Sequence, residues 1–195
     1  MKVAGIVFDL DGTLADSRLD FASMRAETGC PEGTGLLEYI DSLDSDSERS
    51  RAAGVIHHYE MEGARRATWI DGAEALCDQL AAAAIPYGIF TRNSREAASL
   101  MLNTLGIGNQ LLVAREDAAA KPDPEGILKI SGHFGLAPAD MLCVGDFLYD
   151  LQAAANAGMP SCLFDPDRDS PHRAAADFVI HRFEELVSLI FGDSP

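Results

Sequence analysis

The run Val3 to Phe8 (VAGIVF) is short, continuously apolar and stops at Asp9, which is how a parallel strand buried on both faces reads. A strand buried on both faces needs a layer of helices on either side, so it commits the chain to an α/β architecture. Similar runs recur at Tyr87 to Phe90 (YGIF), Leu111 to Val113, Met141 to Val144 (MLCV), Ser161 to Phe164 and Phe178 to Ile180, with helical patterns between most of them. The alternation predicts a doubly wound, Rossmann-like parallel sheet. At 195 residues, of which 47% are hydrophobic, the chain is long enough for one sizeable core plus a modest insertion.

The helical patterns carry their own start and stop signals. Asp71 and Glu74 are spaced as a capping box, after which Leu76, Leu80 and Ala84 recur at helical spacing until Pro86. Ala98, Met101, Leu102 and Leu105 form a stripe closed by Gly106, and Asp123 with Pro124 starts another helix, ended by Gly135. Gly158 ends the helix built on Leu151, Ala154 and Ala155.

Residues 15–70 break the alternation. They read as three helical stretches without a strand, one with Leu36, Leu37, Ile40 and Leu43 on a face. Another is started by Ser45 with Glu48 and carries Ala52, Val55, Ile56 and Tyr59. The polar stretch from Asp41 to Arg51 reads as the connection between these two. The expected organisation is an α/β core of residues 1–14 and 71–195 with a small all-helical cap, residues 15–70, inserted after the first strand.

A formal charge of -16, from 31 acidic and 15 basic side chains, sets the chain against nucleic acid and anionic membrane as partners. No apolar run approaches the roughly 18–20 residues of a membrane helix, and the N-terminus turns acidic before a signal-type apolar region develops. A cytoplasmic protein is expected. Cys30, Cys77, Cys143 and Cys162 form no CxxC and read as reduced packing residues.

Asp9-Leu10-Asp11-Gly12-Thr13 follows the first strand directly, at the carboxyl end where ligands bind in open α/β sheets. A carboxylate there can attack phosphorus, and a second one nearby can protonate the leaving oxygen and later deprotonate water. Gly12 lets the backbone approach a phosphate closely. Each later strand end adds a residue type that this chemistry needs. Thr91, Arg92 and Asn93 offer a hydroxyl, a cation and an amide for phosphoryl oxygens. Lys121 offers an ammonium to the transferring group, and Asp146 and Asp150, after MLCVG, offer oxygen to a hard divalent cation. Each has a bland reading alone, as an acidic turn, a strand terminator, a surface lysine or helix N-terminal charges. Their shared order at successive strand ends argues against coincidence.

On the motifs FDLDGTLADS, FTRN, AKPDPEG and VGDFLYDLQAAANAG, nearly the whole chain resembles the haloacid dehalogenase-like superfamily of phosphatases. The resemblance implies Asp9 as nucleophile, Asp11 as general acid and base, and Thr91 and Lys121 as phosphoryl contacts. It also implies a magnesium ion on the Asp9 carboxylate, the Asp11 carbonyl and the Asp146 carboxylate, with Asp150 in support. The insertion after the first motif is similar to the cap of the subfamily that includes phosphoglycolate phosphatase and β-phosphoglucomutase, although it is short. Where many relatives carry Ser or Thr, this chain has Phe147. Dehalogenases lack the second aspartate, so Asp11 points to phosphoryl transfer.

The expected activity is magnesium-dependent hydrolysis of a small phosphorylated metabolite through an aspartyl phosphate, with a phosphoglycolate phosphatase-like activity as one form of it, by a monomer or small homo-oligomer. A phosphomutase is the nearest rival. A phosphoaspartate receiver places its acidic pair before the accepting aspartate and has no room for the insertion, and a catalytically dead binding protein does not need the full set of polar residues. In the insertion, Arg18, Arg25, His57 and Arg65 are candidates for substrate preference. The adjacent His57 and His58 cannot both face one site. Arg65 and Arg66 read foremost as a solvated face, and Trp69 as a packing residue between cap and core.

Overall fold

All six apolar runs are strands of one sheet. The computed structural model describes residues 3–108 and 110–192. In chain order the sheet strands are β1 (Gly5–Phe8), β4 (Tyr87–Phe90), β5 (Leu111–Val113), β6 (Met141–Gly145), β7 (Ser161–Phe164) and β8 (Phe178–Ile180), and they lie in the order β5-β4-β1-β6-β7-β8. Every pairing is parallel, with Ile6 opposite Tyr87 on one side of β1 and Leu142 on the other. The helices α4 (Ala73–Ala82), α5 (Arg95–Leu105) and α8 (Phe183–Phe191) cover one face, and α6 (Glu125–Phe134) and α7 (Leu148–Ala157) the other. Alternation along β1 divides the core accordingly. Ile6 and Phe8 pack with Leu76, Met101 and Leu186, while Val7 packs with Ile127, Ile130 and Ala154. Both faces of β1 are therefore dry, as its unbroken apolar run requires.

Gly106, Gly135 and Gly158 end α5, α6 and α7 in the left-handed conformation that glycine adopts without strain. At the start of α6 the Asp123 carboxylate accepts the Glu125 N–H at 2.9 Å. The Asp71–Glu74 capping box does not form. Gly72, at φ +79°, takes the N-cap position of α4 without a side-chain bond, and the Phe183 side chain lies 3.3 Å from where a Cβ on Gly72 would stand.

The inserted residues form α1 (Phe21–Thr28), α2 (Leu36–Ser42) and α3 (Asp46–Arg66). The expected polar connection shrinks to three residues, because Asp41 belongs to α2 and the stretch from Asp46 onward to α3. The insertion is not all-helical. β2 (Ala15–Asp16) and β3 (Thr68–Trp69) pair antiparallel at its base, a two-residue ribbon that ties the outgoing and returning chain together. Among the described residues, no helix is long and apolar enough to cross a membrane.

Candidate active site

The strand order reverses direction between β1 and β6, because the chain builds outward from β1 through β4 to β5 and then returns to β1's other side. Loops that leave neighbouring strands in opposite directions open a crevice at their carboxyl ends. Asp9 follows β1 there, its N–H donating to the Val144 carbonyl of β6 at 2.9 Å, and Asp146 follows β6. After Asp9 the chain turns tightly. The Leu14 and Ala15 N–H groups both donate to the Leu10 carbonyl and the Gly12 N–H donates to Ala15, while the Leu10 and Leu14 side chains anchor the turn in the core. Gly12 has φ +88°, and a Cβ on it would stand 2.4 Å from Oδ2 of Asp146. A side chain there would push Asp146 away. The Thr13 hydroxyl reaches Oδ1 of Asp146 in a long contact of 3.5 Å.

Lys121, 3% exposed, donates to Oδ1 of Asp9 at 2.5 Å and to Oδ1 of Asp150 at 2.6 Å. The second oxygen of Asp150 accepts the Phe147 N–H at 3.1 Å, at the start of α7. Gly145 makes room for this carboxylate, since a Cβ there would stand 2.2 Å from the Asp150 Cγ. Both oxygens of Asp150 thus have protein partners.

Burial raises the carboxyl of Asp9 to about 7 against the opposing pull of Lys121, with Asp150 and Asp11 adding to the rise. Burial also raises Asp146 to about 8, helped by the charges of Asp9 and Asp150. Such values mark carboxylates short of positive charge. Asp11 is raised by burial too, while the Ser17 hydroxyl and N–H, donating to its Oδ1 at 2.5 and 3.2 Å, draw it back down.

This donor set fits a magnesium ion. Among the described residues, no three His, Cys, Asp or Glu side chains are grouped to enclose a metal by themselves. Magnesium characteristically uses one or two carboxylates and completes its shell with waters and substrate phosphate. Asp9 and Asp146, with the Asp11 carbonyl between them in the chain, supply that number of oxygens.

Thr91 continues from β4, its N–H donating to Val113 at 3.0 Å and its hydroxyl accepting the Asn93 N–H at 3.2 Å. The Asn93 carbonyl accepts from the Arg115 N–H, while its buried side-chain amide nitrogen has no hydrogen-bond partner among the described residues. Arg92 is committed elsewhere. It donates to the Lys121 carbonyl at 2.8 Å and to Glu38 of α2 at 2.6 Å, and lies 4.5 Å over the Tyr149 ring. A second tie joins cap to core. Glu60 of α3, 3% exposed, receives Arg115 through both oxygens at 2.9 and 3.0 Å and also accepts the Ser94 N–H at 3.1 Å.

The cap candidates scatter. Arg18 pairs with Asp16, Arg25 donates to the Pro31 and Thr34 carbonyls, and Arg65 pairs with Glu62. Arg66 donates to the Ser17 and Arg18 carbonyls. His57 meets Ser94 and Glu96 across the seam while His58 is exposed, and Trp69 packs on the core with its indole N–H on the Leu105 carbonyl. Sequence reasoning passed over Ser17, Glu60 and Arg115. Glu60 had a signal: it continues the buried stripe of Ala52, Ile56 and Ala64 at four-residue intervals, where a solvated acid does not belong.

Residues 6–164 match the model of the haloacid dehalogenase-like hydrolase family. The chain belongs to this family. A phosphoglycolate phosphatase of Xylella fastidiosa is 29% identical over 91% of this chain and 88% of its own length. An N-acetylmuramic acid 6-phosphate phosphatase of Pseudomonas aeruginosa is 24% identical over 97% and 96%. Among solved structures, a hydrolase from Pseudomonas syringae superposes with a TM-score of 0.81 at 22% identity, covering 98% of this chain and all of that one. Membership makes the protein a hydrolase, and the superposition establishes the shared fold.

Proposed function

We propose that this haloacid dehalogenase-like hydrolase is a magnesium-dependent phosphatase that releases phosphate from a small phosphomonoester by way of an aspartyl phosphate on Asp9. The observation that carries the reading is the meeting of Asp9 and Lys121, 2.5 Å apart, at the crevice where Asp146 and Asp11 converge. The phosphatase names of the two relatives support it.

Residues 1–14 and 71–195 form the catalytic core in this reading, and residues 15–70 form a cap over it. When bound, magnesium neutralises the phosphate and the carboxylates that would otherwise repel it. Lys121 holds one oxygen of Asp9, leaving the other to form the bond to phosphorus as the ester P–O bond breaks. Asp11, its carboxyl raised by burial, gives its proton to the departing alkoxide. Water then attacks the phosphorus of the aspartyl phosphate and passes a proton to Asp11, and the Asp9 carboxylate leaves. Thr91 and the unpartnered Asn93 amide are donors for the phosphoryl oxygens. Asp150 fixes Lys121 rather than binding the metal directly.

Asp9→Asn supplies the test, since an amide is neither nucleophile nor anionic ligand. With p-nitrophenyl phosphate and magnesium, the variant is expected to lose more than about 100-fold in kcat while its circular dichroism stays native. Turnover within about tenfold of the parent protein overturns the nucleophile assignment.

A further inference from the structure

Cap and core face each other across a cleft of about 560 Å³. Its core wall is formed by the ends of the loops that carry Asn93 and Lys121, and its cap wall by α2 and α3. The apolar lining is Leu37, Ile40 and Ile56; the acidic lining is Asp41, Glu96 and Glu116. The two basic side chains on the lining are Arg115 and His57, and both are engaged. Arg115 is held through both terminal nitrogens by the buried Glu60 carboxylate. His57 stands 3.4 Å from the Ser94 hydroxyl and 3.4 Å from Glu96. Arg92, just before this wall, is held by Glu38, the Lys121 carbonyl and the Tyr149 ring.

The acids are less well matched. Glu116 accepts the Arg95 N–H at 2.8 Å but has no ion pair, and Asp41 has neither a hydrogen bond from its side chain nor an ion pair among the described residues. An anionic group entering this cleft meets three carboxylates and, among the described residues, no cation that is not already paired. A carboxylate ligand would have to strip Glu60 or Glu38 of its arginine, leaving that acid uncompensated. The net charge of -16 adds to the repulsion.

From this lining we infer that the leaving group carries no negative charge: it is a small uncharged polyol or a cationic amino alcohol, its methylenes against Leu37, Ile40 and Ile56. The inference rests on the phosphatase reading and narrows its substrate class. The Xylella relative, by contrast, is named for an ester whose leaving group bears a carboxylate.

Three alkyl phosphates of similar size and different charge test it: glycerol 1-phosphate, phosphoethanolamine and 2-phosphoglycolate, with p-nitrophenyl phosphate reporting on the core. The expected kcat/KM for 2-phosphoglycolate is at least about tenfold below the better of the other two. A smaller gap, or the reverse order, overturns the inference while p-nitrophenyl phosphate turnover leaves the phosphatase reading standing. If p-nitrophenyl phosphate and all three esters are inert, the phosphatase reading falls and takes the inference with it. The exposed pair Asp41→Asn with Glu116→Gln is expected to narrow the gap at least about threefold. An unchanged gap shows that the selectivity arises elsewhere, which also overturns the inference.

Discussion

The ammonium of Lys121 stands 2.5 Å from Oδ1 of Asp9 and is the cation that Asp9 shares with Asp150. Burial alone would lower the Lys121 pKa, but Asp150 and Asp9 outweigh it and hold the lysine above its ordinary value. Its charge is therefore fixed across the physiological range. In the proposed reaction the lysine works on two sides: it keeps Asp9 partly ionised before attack, and it remains beside the phosphoryl group afterwards.

Lys121→Met tests that double duty. Removing a positioned donor from a charge-bearing transition state costs about 10²–10³ in rate, and kcat on p-nitrophenyl phosphate is expected to fall by that amount. The Asp9 carboxyl rises further without its cation, so part of the stability loss is relieved by protonation. Unfolding in urea at pH 5 and pH 8 should show the variant more destabilised at the higher pH. Equal destabilisation at both would mean that Asp9 does not depend on Lys121.

Ser17 is predicted to tune Asp11. Both of its donors fall on Oδ1 of Asp11 and lower a carboxyl that burial has raised. In Ser17→Ala the hydroxyl bond is lost, so the Asp11 pKa rises and the protonated form persists to higher pH. The alkaline limb of single-turnover phosphoenzyme formation from an alkyl phosphate should move upward. A limb that stays in place or moves down removes Ser17 from this role.

The sheet was legible because each strand is an unbroken apolar run ended by a polar residue, and the carboxyl ends of β1 and β6 announced Asp9 and Asp146. The β2–β3 ribbon was not, because two residues per strand carry no period and Ala15 meets Trp69 across the whole insertion. The Asp71–Glu74 spacing misled because Gly72 at positive φ turned the chain before a side-chain cap could form. Residue types offered Lys121 to a transferring phosphoryl group, but did not show that Asp150 would spend both oxygens on Lys121 and Phe147. Nor did they show that Arg92 would turn to Glu38. Those are choices among neighbours, and neighbours 29 to 54 positions apart are set by packing.

Metal removal should expose the strain among the carboxylates. Asp9 and Asp146 are raised to about 7 and about 8 in the folded protein, from the ordinary carboxylate value of 3.8. The native state then binds more protons than the unfolded state, so stability falls as pH rises between roughly 4 and 8. In chelator, Tm is expected to drop across that window by several degrees, at about 2–4 °C per kcal/mol for a domain of this size. Magnesium should recover more at pH 8 than at pH 5, because it binds the ionised carboxylates. A metal-free protein whose Tm rises over the same window contradicts the shifts.

Two glycines make room for two different carboxylates. A Cβ at Gly12 would displace Asp146 and one at Gly145 would displace Asp150, with approaches of 2.4 and 2.2 Å. Gly12→Ala also forces a side chain onto φ +88°, a strain of about 1–2 kcal/mol. Because Asp146 is a proposed magnesium ligand, Gly12→Ala should raise the magnesium concentration for half-maximal activity about tenfold or more, with part of the rate restored at saturating metal. Gly145→Ala instead disturbs the carboxylate that holds Lys121. Its expected mark is a fall in kcat of about 10²-fold, as small misplacements near reacting atoms produce, which added magnesium does not repair. Magnesium titrations of both variants on p-nitrophenyl phosphate decide the point. If excess metal rescues Gly145→Ala and leaves Gly12→Ala inactive, the roles given to Asp146 and Asp150 are reversed.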